Sequence, residues 1–207
     1  MLYEYLKANY KENEPIFLSD INIYGVSNNN LRQMFKTLCD NNKIKRYDTG
    51  IYYIPKVSRL KNTNTLPADL VANYKYITRN GDVEGYYSGY TFANQLGVTT
   101  QVPYILEIVS NNAGAKYREV NLQGQRIILR KPRIPVTKDN YLILQLLDFL
   151  KDIEEFADQS IKEYTELIKN YIIKLKITKE KIDQYINQYP DKIFRIIYEM
   201  RLYDVLA

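Results

Sequence analysis

Asn28, Asn29, Asn30, Arg32, Gln33 and Lys36 crowd the stretch 28–36, and Ser27 precedes them. Amide and guanidinium groups make paired hydrogen bonds to base edges, and ammonium groups meet phosphates, so this cluster has the chemistry of nucleic-acid readout. A second group, Lys43, Lys45, Arg46 and Thr49, follows closely. A third, Lys116, Arg118, Arg126, Arg130, Lys131 and Arg133, lies in the span 116–138, where seven Lys/Arg meet one Asp/Glu for a local charge of +6. The whole chain carries only +5, and residues 139–207 hold ten Lys/Arg against thirteen Asp/Glu. Basic segments set against a mildly acidic remainder are the electrostatic footprint of a nucleic-acid binder.

Catalytic chemistry finds less support. The 207 residues contain no histidine and one cysteine, Cys39. The commonest general base is therefore absent, a thiolate metal site cannot be built, and an internal disulfide is excluded. No glycine-rich phosphate loop of the GxxxxGK[ST] or GxGxxG kind occurs. Asp82 and Glu84 make a DxE pair, yet a hard divalent cation needs several converging oxygens, and a surface turn explains the pair better. Glu107 fits a strand position better than a carboxylate cluster. The expectation is a non-enzymatic chain without metal or cofactor.

The elements that must position these side chains can be read from spacing. Leu31, Met34, Phe35 and Leu38 fall at i, i+3, i+4 and i+7, which predicts a helix burying that face and turning the amides and cations outward. Ser27 is placed to cap it. Ser19 opens a short preceding helix ending near Tyr24, and Gly25 permits the turn between the two. Residues 43–47 and 51–54 are β-prone and flank Asp48-Thr49-Gly50, the signature of a tight hairpin. With a first helix over 2–10, this predicts a winged helix-turn-helix domain at 1–56, its second helix for a major groove and its basic hairpin for flanking phosphates. Protein docking alone is the competing use of such a module.

A polar stretch at 57–66 reads as a linker, and 67–207 as a second domain. There the spacing predicts a helix over 68–79 closed by Asn80-Gly81, and about two helical turns over 90–96 ended by Gly97. Strands are predicted over 104–110, 118–122 and 125–130. Arg126, Ile128 and Arg130 would share a strand face. Helices follow over 138–156, capped by Thr137, then 160–176, 178–188 and 190–206. The fold class expected is α+β: a winged helix followed by a small mixed sheet with a helical tail. At 45% hydrophobic and 26% charged the chain has a soluble composition, with no apolar run near the ~20 residues of a membrane span. Residues 1–10 are amphipathic rather than a signal peptide, so a cytoplasmic location is expected.

The winged-helix stretch, GYYSGYTFANQLGVTTQVP at 85–103, EIVSNNAG at 107–114, ILRKPR at 128–133 and NYLILQLLDFL at 140–150 together resemble the AbiEi family of type IV toxin-antitoxin antitoxins from bacterial abortive-infection loci. The resemblance runs from residue 2 to about 150, with 85–103 its most specific part. It implies a winged helix that binds operator DNA and represses its own promoter. It also implies a second domain that opposes an AbiEii-like nucleotidyltransferase toxin without a stable complex, the basic span 116–138 serving as a nucleic-acid or antitoxin surface. A regulator of another kind, whose second domain senses a ligand in a pocket lined by 85–90 or mediates dimerisation, is the alternative.

Overall fold

The computed structural model describes residues 2–56, 65–157 and 160–206. It is a mixed α+β protein that divides into two compact units, 1–74 and 75–207.

In the first unit, α1 (Leu2–Asn9) buries Leu2 and Leu6, one helical turn apart. β1 (Ile16–Phe17) leads into a single 3-10 turn, Leu18–Asp20. The helix expected at 19–24 is not formed: the chain is extended again at Ile21, and Ser19 donates to the Asp20 carboxylate at 2.9 Å instead of capping. Gly25, at φ 77°, makes the turn into α2 (Asn28–Asp40). Ser27 caps α2, its hydroxyl accepting from Asn30 N at 3.3 Å. β2 (Lys45–Asp48) and β3 (Ile51–Tyr53) form the hairpin, and β1 adds to its other edge, giving an antiparallel sheet in the order β1-β3-β2. Leu31 and Phe35 of α2, Leu2 and Leu6 of α1, and Ile16, Ile44, Tyr52 and Ile54 close one core. The Phe35 ring meets Tyr52 at 4.7 Å.

α3 (Ala68–Tyr76) spans the division between the units. The division by compactness falls within this helix, later than 66; burial first, then Asp48 and Asp69, raise the Tyr47 hydroxyl pKa, and burial first, then Glu14, raise that of Tyr74. Most of the predicted linker, residues 57–64, lies outside the described residues.

The second unit begins with a small hairpin, β4 (Thr78–Arg79) and β5 (Asp82–Val83), turning at Asn80-Gly81. That turn ends α3 three residues before the expected 79. Next come β6 (Gly85–Tyr87), α4 (Gly89–Leu96), β7 (Ile105–Ser110), β8 (Tyr117–Leu122) and β9 (Gln125–Arg130). The four-stranded sheet runs β6-β7-β9-β8, with β7 and β9 parallel and the other pairs antiparallel. α5 (Tyr141–Lys151) buries seven residues, including Ile143, Leu146, Leu147, Phe149 and Leu150, so core surrounds most of it. Its N-cap is Asn140 rather than the expected Thr137, whose N–H donates to the Asn140 side chain at 2.7 Å.

The helix is interrupted at Asp152 before α6 (Ile153–Phe156). α7 (Ile161–Lys174), α8 (Lys179–Tyr185) and α9 (Lys192–Glu199) complete the helical part, which also holds 3-10 turns at Ile186–Gln188 and Leu202–Val205. The last predicted helix stops early because Arg201 takes a left-handed φ of 50°. Helix-borne residues from α4 to α9 and the sheet residues Tyr86 and Val109 form one cluster. No helix among the described residues is long and apolar enough to cross a membrane.

Candidate nucleic-acid interface

The amphipathic spacing of α2 has the predicted consequence. Leu31 and Phe35 are buried and Met34 and Leu38 half-buried, so the opposite side is left to solvent. Ser27, Asn28, Asn29, Asn30, Arg32, Gln33 and Lys36 are all exposed. Between this face and the hairpin lies a groove of about 580 Å³, bordered by Arg32, Gln33 and Lys36 on one wall and Arg46, Thr49 and Gly50 on the other. Arg32 and Lys36 form no ion pair among the described residues, which leaves both charges available.

The hairpin wall is ordered by its own side chains. Asp48 Oδ1 accepts from Thr49 N at 2.6 Å, and Gly50 takes φ 72°, which a glycine adopts without cost. Arg46 donates from Nε to the Asp48 carbonyl and from Nη2 to Thr49 Oγ1, both at 3.2 Å. Its guanidinium is thereby fixed along the groove edge.

Not every predicted contact residue joins this site. Lys43 stands over the Tyr3 ring of α1 at 5.2 Å, and Lys45 is exposed but absent from the groove wall. Successive strand residues point to opposite faces, so Arg46 and Lys45 cannot both address the same groove. Sequence reasoning also missed Cys39 and Asp40, which line the same groove. Burial first, then the Asp40 carboxylate, raise the Cys39 thiol pKa against the lowering effect of Arg46.

The third basic group divides. Register pairs Tyr117 with Arg130, Glu119 with Ile128 and Asn121 with Arg126, so these side chains share one sheet face and Arg118 lies on the other. Arg126 and Glu119 are paired at 3.0 Å. The hydrogen bond that Glu119 accepts from Arg126, and secondly the one from Tyr117, hold its pKa below the usual value. Arg130 is paired at 2.9 Å with Glu107, a residue 9% exposed. The other Glu107 oxygen accepts from Tyr90 N at 3.0 Å, at the start of α4.

Glu107 thus ties Arg130 to a helix N-terminus, where a carboxylate is favourable. Glycine is favoured at 89, because its φ of 53° strains other residues and a Cβ would displace that carboxylate. Gly85 is required, since a Cβ would strike the carbonyl oxygens of Tyr76 and Val109. Much of the distinctive 85–90 stretch serves packing: Tyr86 is 3% exposed and in the core, and Ser88, Gly89 and Gly85 are buried.

Lys116, Arg130, Lys131 and Arg133 do come together, with Lys151 and Asp148 of α5, around a second groove of about 500 Å³. Lys151 was invisible to sequence reasoning because it lies on a helix otherwise read as core. Asp148 accepts from the Tyr86 hydroxyl at 3.2 Å, and Arg133 stands 5.4 Å from the centre of the Tyr189 ring. Burial first, then Asp148, push the Tyr86 hydroxyl well above its ordinary pKa, so it remains a donor. Elsewhere Asp82 is exposed on β5 and Glu84 accepts from the Asn112 amide. No group of three or more potential metal ligands is found among the described residues.

The chain belongs to a family of unknown function, DUF6088, whose model matches residues 3–184. No curated protein matches it.

Proposed function

We propose that the first unit is a winged-helix DNA-binding module, α2 being its recognition helix and β2–β3 its wing, and that the chain represses its own operon from the cytoplasm. The observation that carries this is the α2 face, where Asn28, Asn29, Asn30, Arg32, Gln33 and Lys36 are exposed together and Arg32, Gln33 and Lys36 share a groove with Arg46 and Thr49. Cations with no ion pair among the described residues keep their charge for phosphates, and exposed amides can reach base edges. The AbiEi resemblance extends the reading: the chain acts as the antitoxin of a type IV pair, opposing a nucleotidyltransferase toxin without a stable complex, and is not itself an enzyme. The basic groove of the second unit supports a second reading, a stand-alone regulator whose second unit senses an anionic ligand.

Two experiments test this. Fluorescence anisotropy on DNA from upstream of its gene is expected to give saturable binding that Arg32→Ala, Gln33→Ala and Lys36→Ala together weaken at least tenfold. Unchanged affinity in the triple variant ends the docking model. Co-expression with the product of the adjoining gene tests the antitoxin role, and the same triple variant is expected to protect cells while losing repression. Lack of protection by the wild-type chain leaves the stand-alone regulator.

A further inference from the structure

We propose that the groove at the carboxyl ends of β7 and β9 binds a small oligophosphate, of the size and charge of a nucleoside polyphosphate. Val109 and Arg130, paired in register near the ends of these parallel strands, both line it. In open α/β sheets, ligands collect outside the carboxyl ends of parallel strands. The volume, about 500 Å³, falls in the small-molecule range.

Five cations converge there against one lining carboxylate; Arg130 and Lys151 are already paired with Glu107, Asp148 and Asp152, which leaves the net positive charge to Lys116, Lys131 and Arg133. Three are anchored by their surroundings. Arg130 is held by Glu107 at 2.9 Å, Lys151 by Asp152 at 3.0 Å and Asp148 at 3.4 Å, and Arg133 stands over the Tyr189 ring. The lining carboxylate, Asp148, is already engaged by Lys151 and the Tyr86 hydroxyl. Lys116 and Lys131 are exposed and form no ion pair among the described residues. A backbone bond from Lys131 N to the Lys116 carbonyl, 3.3 Å, keeps them side by side. The site is therefore a rigid cationic floor with two uncommitted ammonium groups at its lip. Guanidinium forks and point-charge ammonium groups together suit several adjacent phosphoryl groups.

A polynucleotide track would look different. It needs cations spaced along a path and aromatic platforms for the bases. Here no aromatic side chain among the described residues lines the groove. Of the other basic residues, Arg126 is tied to Glu119 and Arg118 lies on the opposite sheet face. The charge is focused into a pocket, as a compact polyanion requires. This inference does not depend on DNA binding by the first unit, because its test contains no DNA.

Isothermal titration of the full chain at fixed ionic strength, with inorganic triphosphate, ATP and orthophosphate as separate titrants, is decisive. One triphosphate or ATP is expected per chain, with orthophosphate at least tenfold weaker. Lys116→Ala with Lys131→Ala is expected to weaken binding at least tenfold, and Arg118→Ala to leave it unchanged. Both lysines are exposed, so an unaltered thermal melt accompanies the loss. Tighter binding of ATP than of triphosphate identifies a nucleotide, and equal binding an inorganic chain; either supports the site. No saturable heat, or equal affinity in the double variant, overturns it. So does a single-stranded RNA that binds and is weakened by the double variant when triphosphate does not bind.

Discussion

In the first unit, Arg32 and Lys36 reach their groove from an exposed helix face with no carboxylate holding them among the described residues. In the second, Arg126 and Arg130 lie along one strand and each is tied to a glutamate, at 3.0 and 2.9 Å. The two regions are both basic in sequence, yet much of the second region's charge serves the scaffold. A cation already neutralised by a neighbour adds little to the field a ligand meets, whereas an unpaired one adds all of its charge. Local net charge therefore locates a basic segment, and only the pairing pattern says which members are available.

Substitutions can break or sharpen that contrast, and the largest effect is expected in the scaffold. Gly89→Ala sets a Cβ against the Glu107 carboxylate in a left-handed backbone. It is expected to cost roughly 3 kcal/mol or more through strain and a disturbed part-buried ion pair, measured by urea unfolding. A loss below 1 kcal/mol would mean that Glu107 has freedom to move and that Arg130 is not held as described.

The free face of α2 is expected to behave in the opposite way. Replacing Arg32, Gln33 and Lys36 by alanine should leave stability within about 0.5 kcal/mol, since all three are exposed. DNA affinity should fall at least tenfold, and the salt slope should flatten by about 2 with two cations gone. Affinity kept with stability lost would reverse the roles assigned to the two regions. Ser27→Ala comes next, at about 1 kcal/mol, because it removes the side-chain cap on Asn30 N. Hydrogen exchange over 28–32 reports the fraying, and unaltered protection there would show that the cap contributes nothing.

The smallest effect is a pH dependence at α7. Hydrogen bonds from Ser160, at 2.9 Å from Oγ and 3.1 Å from N, hold the Glu163 pKa below its ordinary value. A carboxyl whose folded pKa is depressed stabilises above its unfolded pKa and loses that contribution as pH falls through the folded one. Wild type is therefore expected to melt slightly above Glu163→Gln at pH 7, and the two to converge at pH 3. A gap that persists at pH 3 would point to packing instead.

What could be read from residues alone was whatever depended on local spacing. The α2 stripe and its Ser27 cap are separated by single helical turns, and the Asp48-Thr49-Gly50 turn and the Arg126, Ile128, Arg130 face need only neighbours. The 3-10 turn at Leu18–Asp20 escaped because three residues are too few to carry a helical period. β1 escaped because two residues, Ile16 and Phe17, carry no period. The reason for Gly89 is a carboxylate on another strand, and Lys151 reaches its groove only after α5 has packed. Such contacts are set by tertiary structure, which leaves no trace in spacing.

The order of strands in the second sheet bears on how that unit assembles. β8 and β9 are joined by a two-residue turn at Gln123-Gly124, both with positive φ, while β7 pairs in parallel with the inner edge of the finished hairpin. Local hairpins close within microseconds, and parallel pairing across a long loop is slow. The β8–β9 hairpin is thus expected to form first and to template β7. On that order, weakening the Gln123-Gly124 turn slows refolding, and weakening β6 at the far edge speeds unfolding instead.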